Sequence, residues 1–534
     1  MRDQLLLDGH NLTIEDVERV SFGNVQVALA PECIARLRST REYIDANWLQ
    51  DSAPLIYSFN TGVGNLKSQR IPASEITRFQ TNIVRAHAAG CGEPFSRSVV
   101  RAMMLLRANA FASDYSGPRV ELVQRLLEML NRQVHPVVYS KGSVGASGDL
   151  APLAYISAAL MGDAAARVEF NNQEMSAAEA LAAAGLEPDF PYQAKDAVAL
   201  LNGSTASLAV LCQAYTYAKQ LVAYADLSAA LSVEAIRGEL DAFDKRIHIA
   251  RPHPGQIKSA DSLRGYLRGS QRCTEESRRK IMWGPDAGKT VDLPPRVQDV
   301  YSYRCTPQVH GPVHDALQYV HQILQVEMNS ATDNPLIFRV GEDYIALSGG
   351  NFHGQYLAQA ADLLAIAMTD LSSICERRLA RLIDPTMSLG MPSNLVALDP
   401  GINTGYSVMS CSMAALVMEN RTLSMPASVD SISAKGNAED HVSNSTWAAR
   451  KALQIVENTK QVIGVELLIA NQAIGLTQPN LQFPVLGAGT QRAYDWIQNK
   501  LPTSTADDRY MHDDIAMCRS WLDSDELLTV AAGA

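Results

Sequence analysis

The stretch Gly142-Ser-Val-Gly-Ala-Ser-Gly-Asp-Leu-Ala-Pro-Leu153 is the most informative part of the chain. Its glycines allow backbone conformations that other residues avoid. In the central tripeptide, the unhindered nitrogen of Gly148 can attack the carbonyl carbon of Ala146. Loss of two waters, one carrying away the Ser147 hydroxyl, would then give a five-membered 4-methylideneimidazol-5-one ring. This ring is an electrophile of a kind that no standard side chain provides, and it would accept an amine without pyridoxal phosphate.

The tripeptide alone does not decide the chemistry, because an Ala-Ser-Gly triplet also occurs by chance in flexible loops. The surrounding Gly145-Ala-Ser-Gly-Asp149 does not match the G-x-S-x-G pattern of a serine hydrolase, and no P-loop lysine follows the glycines. The interpretation therefore depends on the rest of the chain.

The composition is that of a globular protein with large cores. The 534 residues are 47% hydrophobic and 19% charged. A formal charge of -11 argues against nucleic acid as a partner. No secretory signal is visible, so we expect a cytoplasmic protein. The longest uncharged stretch, residues 197–218, is punctuated by polar residues, so we predict no membrane segment.

The cysteines and histidines do not predict a metal site. Eight cysteines are scattered without any C-x-x-C pair, which suggests reduced thiols rather than a zinc ribbon or a disulfide framework. His310 and His314 have helical i, i+4 spacing, but Gly311-Pro312 between them is typical of a helix start and not of its middle. We therefore predict no metal.

Long helices dominate the second part of the chain. Apolar residues recur every three or four positions from Gln355 to Ile383 and from about Ser445 to Ile474, which predicts one helix in each stretch. The first 200 residues read as helices joined by irregular loops, and the charged, proline-containing segment from Arg268 to Pro295 reads as a surface excursion. The sequence predicts a mainly α protein with an N-terminal domain at 1–200 and an elongated helical bundle at 201–534.

Further motifs accompany the glycine-rich loop in a fixed order along the chain. They are Tyr57-Ser-Phe-Asn-Thr-Gly-Val-Gly64, His87-Ala-Ala-Gly90, Ala199-Leu-Leu-Asn-Gly203, Arg251-Pro-His-Pro-Gly-Gln256, Tyr301-Ser-Tyr-Arg-Cys-Thr-Pro-Gln308, Asn329-Ser-Ala-Thr-Asp-Asn-Pro335, Gly349-Gly-Asn-Phe-His-Gly354 and Asn437-Ala-Glu-Asp-His-Val442. With these motifs, the sequence resembles the histidine, phenylalanine and tyrosine ammonia-lyases and their related aminomutases from about Tyr57 to Ala470.

The resemblance implies a fold, a prosthetic group and a reaction. It implies the fumarase/aspartase-like helical architecture, a homotetramer whose active sites combine residues of three subunits, and the methylideneimidazolone ring made from Ala146-Ser147-Gly148. The implied reaction is the non-oxidative elimination of ammonia from an aromatic L-amino acid, which gives an α,β-unsaturated acid. Such a reaction needs a base for the weakly acidic Cβ proton, a bound amine and a clamped carboxylate.

The resemblance also assigns roles to individual residues. Tyr57 resembles the family's base, and Tyr301 a second tyrosine that positions the ring or the amino group. Arg304 resembles the clamp for the substrate carboxylate, which suits the guanidinium fork. The remaining residues resemble polar or aromatic groups around the prosthetic ring and the substrate: Asn202, Gln308, Asn334, Phe352 and Glu439.

The substrate ring is the least determined feature. His87 and its neighbour Ala86 fall where family members choose among aromatic side chains, and a histidine there favours a polar ring. Ala438 stands where the family commonly has Gln, which leaves space near the site. Ser58 and Val63 stand where it usually has Gly and Phe. L-Tyrosine and L-histidine are equally good candidates, and L-phenylalanine is behind them. An aminomutase that re-adds ammonia at Cβ and a catalytically silent binding or scaffold homologue are the alternatives.

Overall fold

The computed structural model describes residues 4–292, 296–435, 438–481 and 485–533. Within these ranges the chain forms twenty α-helices and nine short strands, which confirms the mainly α prediction. The helices are α1 (Ile14–Phe22), α2 (Pro31–Asn47), α3 (Ile76–His87), α4 (Arg97–Ala112), α5 (Val120–Asn131), α6 (Leu150–Leu160), α7 (Ala177–Ala183), α8 (Asp196–Leu201), α9 (Thr205–Ile236), α10 (Lys245–Ala250), α11 (Pro254–Tyr266), α12 (Glu275–Arg278), α13 (Tyr301–Arg304), α14 (Thr306–Glu327), α15 (Gln355–Ile383), α16 (Ser407–Leu423), α17 (Ser445–Thr477), α18 (Ala488–Lys500), α19 (Met511–Ser520) and α20 (Glu526–Ala532).

The strands form small, separate sheets that brace loops. They are β1 (Gln4–Leu7), β2 (Gln26–Leu29), β3 (Cys91–Pro94), β4 (His135–Pro136), β5 (Tyr139–Lys141), β6 (Arg167–Phe170), β7 (Gln173–Ser176), β8 (Leu336–Val340) and β9 (Asp343–Leu347). β1 and β2 pair in parallel, whereas the pairs β3–β5, β4–β6, β6–β7 and β8–β9 are antiparallel. β5 ends directly before Gly142, so the β3–β5 pair fixes the position of the first residue of the glycine-rich loop.

The chain divides into two compact units that are discontinuous in sequence. The first contains residues 1–216, 320–362 and 426–453, and the second contains 217–319, 363–425 and 454–534. This division differs from the predicted domains at 1–200 and 201–534. Within the first unit, the later segments close the glycine-rich loop, since the backbone N–H groups of Gly354 and Asn444 donate to the carbonyls of Gly145 and Val144.

The two long helices expected from periodicity are present. α15 begins and ends at the expected residues, and α17 runs three residues beyond the expected end. Leu357, Leu364, Met368 and Leu371 of α15 are fully buried. On length and composition α15 is also apolar enough to cross a bilayer, but 61% of its apolar window is buried inside the protein, as in core helices.

The segment 268–295 is only partly the surface excursion that its charges suggested, and its residues 293–295 lie outside the described ranges. Arg272 and Cys273 are buried. The Arg272 guanidinium donates to the carbonyls of Glu234 and Ala235 in the last turn of α9. Helix ends leave such carbonyls without intrahelical partners, so this arginine caps a helix instead of facing solvent.

Gly311 and Pro312 lie inside α14 and not at a helix start, so that part of the sequence interpretation is wrong. A Cβ at position 311 would lie 2.6 Å from the backbone nitrogen of Gln256. Gly311 therefore permits close packing against α11, and this contact with the neighbouring helix is invisible in the local sequence pattern.

A buried arginine supports the part of the fold that carries the predicted site. In α4, fourteen of sixteen residues are buried, so this helix is part of the core of the first unit. Its Arg107 donates to the carbonyl of Ala199 in α8 and, at 3.1 Å, to that of Thr332. These bonds fix the end of α8, after which Asn202 follows.

Candidate active site

The glycine-rich loop is anchored by the buried carboxylate of Asp149. This carboxylate accepts hydrogen bonds from the hydroxyls of Ser143 (2.8 Å), Ser207 (3.0 Å) and Thr446 (2.5 Å), and from the backbone N–H of Ser207 (2.7 Å). A carboxylate with four donors is fully satisfied although it is buried. Asp149 thus fixes the end of the Ala146-Ser147-Gly148 tripeptide.

Gly148 occupies a place that no other residue fits. Its φ is +72°, and a Cβ there would lie 2.3 Å from the carbonyl carbon of Gly203. The backbone N–H of Asp149 donates to the Gly203 carbonyl at 2.8 Å and holds the two glycines together. The nitrogen that would close the ring therefore belongs to a residue that must be glycine on packing grounds as well.

Asn202 contacts the carbonyl oxygen of Ser147, which would become the oxygen of the ring after closure. Its Nδ2 donates to the Ser147 carbonyl at 2.9 Å. Its Oδ1 is buried without a hydrogen-bond partner. A buried, unpaired amide oxygen is costly unless a ligand satisfies it. The residues therefore fit the methylideneimidazolone ring, and Oδ1 is free to accept from an amine.

Glu439 lies on the side of the Ser147 hydroxyl. Its carboxylate accepts a hydrogen bond from Ser147 Oγ and lies 2.9 Å from Lys435 Nζ. The Glu439 side chain is only 13% exposed. Since the substrate nitrogen would attach to the carbon that bears this hydroxyl, Glu439 is placed beside the amine end of the site.

Tyr57 is held at the start of a tightly anchored loop. Its Oη accepts from the backbone N–H of Gly64 at 3.2 Å. Two residues later, Phe59 packs edge-on against Trp48, with ring centroids 5.2 Å apart. A phenol acts as a base only as its anion, and the Gly64 N–H is directed at the oxygen that would carry this charge.

Ser58 adopts a left-handed conformation, with φ +63°. Its buried hydroxyl has no hydrogen-bond partner. We expect Ser58→Gly to raise the free energy of unfolding by about 1 kcal/mol, because relief of the left-handed strain outweighs the entropy that glycine gains in the unfolded chain. Urea unfolding followed by circular dichroism measures this change. Destabilisation by the same amount would contradict the assigned strain.

His87 is the last residue of α3 and is half-buried. Its Nδ1 lies 2.8 Å from the carbonyl oxygen of Ile83, so Nδ1 must carry the proton that is donated. Burial lowers the pKa of this imidazole, the bond to Ile83 offsets part of the effect, and the charge of Lys435 lowers the pKa further. His87 is therefore neutral near pH 7, and its Nε2 is a hydrogen-bond acceptor.

These residues share one cavity of about 910 Å³. Its lining includes Tyr57, His87, Ala146, Ser147, Asn202, Asn334, Phe352 and Glu439. Asn334 is fixed by its Oδ1, which accepts from the Gly349 backbone N–H at 2.8 Å. A cavity of this size accommodates an amino acid with an aromatic ring.

Five predicted residues, Gly148 among them, are not in the lining of this cavity. Ala86 is exposed. Consecutive residues of a helix point about 100° apart, and it is His87 that faces the cavity. Tyr301 and Arg304 line another cleft, of about 690 Å³, that lies within the second unit. There the Arg304 guanidinium stacks 4.5 Å from the centre of the Tyr301 ring. Gln308 lies in the first turn of α14, and its Oε1 is buried without a hydrogen-bond partner.

The sequence interpretation missed several polar residues of the cavity. Lys435, His353 and His441 line it, and His353 Nε2 lies 3.2 Å from His441 Nδ1. His353 and His441 stand inside quoted motifs, so their motif membership was an available signal. Lys435 stands outside those motifs, two residues before Asn437, which lies outside the described ranges.

His310 and His314 flank a buried carboxylate. Their imidazoles lie 2.8 and 3.4 Å from the oxygens of buried Asp226. Burial alone would raise the pKa of Asp226, but these contacts hold it at about 2. Across the described ranges, no group of three His, Cys, Asp or Glu side chains has metal-binding geometry.

Comparisons with known proteins show the family of this chain. The model of the aromatic amino acid lyase family matches residues 12–499. The chain is 43% identical to a histidine ammonia-lyase of Geobacillus thermodenitrificans over 99% of both chains. It is 42% identical to a histidine ammonia-lyase of Koribacter versatilis, again over 99% of both.

Solved structures give the same result. A tyrosine aminomutase from Streptomyces globisporus superposes with a TM-score of 0.90 at 34% identity, over 99% of this chain and 98% of that one. Histidine ammonia-lyase from Trypanosoma cruzi gives a TM-score of 0.87 at 33% identity, over 99% and 95%. With the family model, the relatives and the fold in agreement, this chain belongs to the aromatic amino acid lyase family and is an enzyme of the ammonia-lyase type.

Proposed function

We propose that this enzyme eliminates ammonia from an aromatic L-amino acid with a polar ring, and that L-histidine is the first candidate. The observation that carries the proposal is the cavity whose lining combines Ala146 and Ser147 of the ring-forming tripeptide with Tyr57, Asn202 and Glu439. The curated relatives named above are histidine ammonia-lyases. L-Tyrosine is the second candidate, and L-phenylalanine is behind both.

In this proposal, the methylideneimidazolone ring formed from residues 146–148 supplies an electrophilic carbon for the substrate nitrogen. Asn202 donates to the carbonyl oxygen of residue 147 and offers Oδ1 to the substrate amine. Glu439 is placed to take a proton from that amine. The Tyr57 phenolate removes the Cβ proton, and the cavity holds the reacting groups close together.

In this proposal, His87 determines which substrate ring is preferred. Its neutral imidazole presents Nε2 as an acceptor, which pairs with the N–H of an imidazole or the O–H of a phenol. A phenyl ring has no such donor and would leave this acceptor unpaired. The space beside Ala438, another residue of the cavity lining, accommodates a phenol as well as an imidazole.

Replacing His87 by phenylalanine tests this ring preference. We expect His87→Phe to lower kcat/KM for the polar-ring substrate by about 10²-fold and to raise the relative rate with L-phenylalanine, because the acceptor is replaced by an apolar ring. The ultraviolet bands of urocanate, coumarate and cinnamate report the products. His512→Phe, at an exposed histidine outside the cavity, is the control. An unchanged order of substrates in His87→Phe would contradict the assignment.

An aminomutase is the second candidate function, because the solved structures of this fold include the tyrosine aminomutase reported above. Chromatography of the products from L-tyrosine distinguishes the two. A β-amino acid that forms together with the unsaturated acid would favour the aminomutase. A protein with the intact ring but no product from histidine, tyrosine or phenylalanine would favour the silent homologue.

We also propose that the enzyme is a homotetramer in which the Tyr301 and Arg304 cleft of one chain completes the cavity of another. Tyr301 is 70% exposed in the single chain. Large apolar side chains are also exposed at Tyr356, Val408 and Met418. Exposed apolar surface on this scale is typical of an interface between subunits. Arg304 would then clamp the carboxylate of a substrate held by the neighbouring subunit.

Mixed oligomers test the shared site. Tyr57→Phe and Arg304→Ala chains, each expected to be inactive alone, are co-expressed with different tags and purified through both. Random assembly should place an intact Tyr57 opposite an intact Arg304 in roughly a quarter of the sites, so activity returns to that fraction. No recovery in mixed oligomers would contradict a site shared between chains.

A further inference from the structure

Lys435 lies between the parts of the cavity that the reaction must hold together. Ala434 and Glu439 pair as an antiparallel bridge, and Lys435 follows Ala434 directly. The Lys435 Nζ is 2.9 Å from Glu439 Oε1, and this same oxygen accepts from the Ser147 hydroxyl. The ammonium therefore contacts the same oxygen of Glu439 that faces the ring-forming residue.

The backbone of Lys435 makes a second connection. Its carbonyl oxygen accepts from Asn65 Nδ2 at 3.4 Å. Asn65 directly follows Gly64, whose backbone N–H donates to Tyr57 Oη. Lys435 is thus linked through its side chain to Glu439 and through its main chain to the loop that carries the base.

The burial of the Lys435–Glu439 ion pair suggests that the pair positions the Glu439 carboxylate and adds little to the stability of the fold. The Lys435 side chain is 45% exposed, and ion pairs of exposed groups contribute little to folding. Its partner is largely buried, so removing the ammonium would leave a carboxylate that is free to turn away from Ser147. The same charge also acts on His87 at the ring end of the cavity.

We propose that Lys435 is a positioning residue for the elimination, which holds the Glu439 carboxylate beside residue 147 where the substrate amine must lose its proton. The inference rests on the proposed function, because positioning has meaning only for a reaction at this site. It predicts that Lys435 acts through Glu439, so the effects of changing the two residues are not independent.

A double-mutant cycle tests this coupling. Lys435→Met, Glu439→Gln and the double variant are compared with the wild type on the best substrate. We expect Lys435→Met to lower kcat by roughly 10- to 100-fold with little change in KM, and to have almost no further effect in the Glu439→Gln background. Lys435→Arg, which keeps the cation, should restore most of kcat. Lys289→Met breaks a surface ion pair with Asp286 and is the matched control.

Ring absorbance and the melting temperature are measured for every variant and should match the wild type, which separates positioning from misfolding or failed maturation. If Lys435→Met does not fold, Lys435→Gln takes its place in the cycle. Near-normal kcat in the folded variant, or equal losses in both backgrounds, would overturn the role of Lys435 while leaving the lyase proposal intact. A wild type without turnover on any aromatic amino acid would overturn both.

Discussion

Tyr57→Phe is expected to reduce turnover by roughly 10³-fold or more while the absorbance of the prosthetic ring persists. The substitution removes one oxygen, the atom that accepts from the Gly64 N–H and that would take the Cβ proton. The loop itself should survive, because it is held by Phe59 against Trp48 and by the bonds from Asn60 Nδ2 to the carbonyls of Trp48 and Pro54. Initial rates on histidine and tyrosine, with ring absorbance in parallel, measure the effect.

Tyr43→Phe is a suitable control for this experiment. Tyr43 packs against Trp48 in the same apolar cluster but does not line the cavity. The control should keep wild-type turnover. Wild-type rates in Tyr57→Phe, or loss of the ring in that variant, would contradict the assignment of Tyr57 as the base.

Ser147→Ala is expected to have an effect of at least similar size, roughly 10³-fold or more on turnover, through a different cause. Without the hydroxyl, the second water cannot leave and the electrophilic carbon cannot form. The fold should be unchanged, since the Ser147 hydroxyl donates to Glu439 while the loop is held by Asp149. We therefore expect Ser147→Ala to lose turnover and ring absorbance but to keep the melting temperature of the wild type.

Ser143→Ala in the same loop is the comparison for this variant. Its hydroxyl donates to Asp149 and is not a leaving group. Ser143→Ala should therefore still lose two waters, even where the loop becomes less stable. Retained ring absorbance or full turnover in Ser147→Ala would show that the electrophile does not come from residue 147.

Local patterns in the sequence predicted those parts of the molecule that depend on local rules. The periodicity of apolar residues gave the bounds of α15 because a helix in a core must bury one face. The motifs gave Tyr57, His87, Asn202 and Glu439, and the structure places all four around one cavity. The need for glycine at position 148 was expected from ring chemistry, and its packing against Gly203 adds a second reason.

Other features depend on contacts between distant segments, and no local pattern reports these. Lys435 reaches the cavity because residues 426–453 fold onto the glycine-rich loop nearly three hundred positions earlier. Arg272 looks like a surface charge in sequence, but it caps the end of α9. The division into discontinuous units likewise follows from which segments pack together. The second unit contains Tyr301, Arg304 and Gln308. Their role in the active site stays a prediction, because it depends on contacts with a neighbouring chain.

The mass of the intact, denatured wild-type protein tests the central claim most directly. The account predicts a chain lighter than its sequence by the mass of two waters, with the whole deficit mapping to the peptide that contains Ala146-Ser147-Gly148. A full-mass chain with an ordinary serine at position 147 in active, mature protein would contradict it.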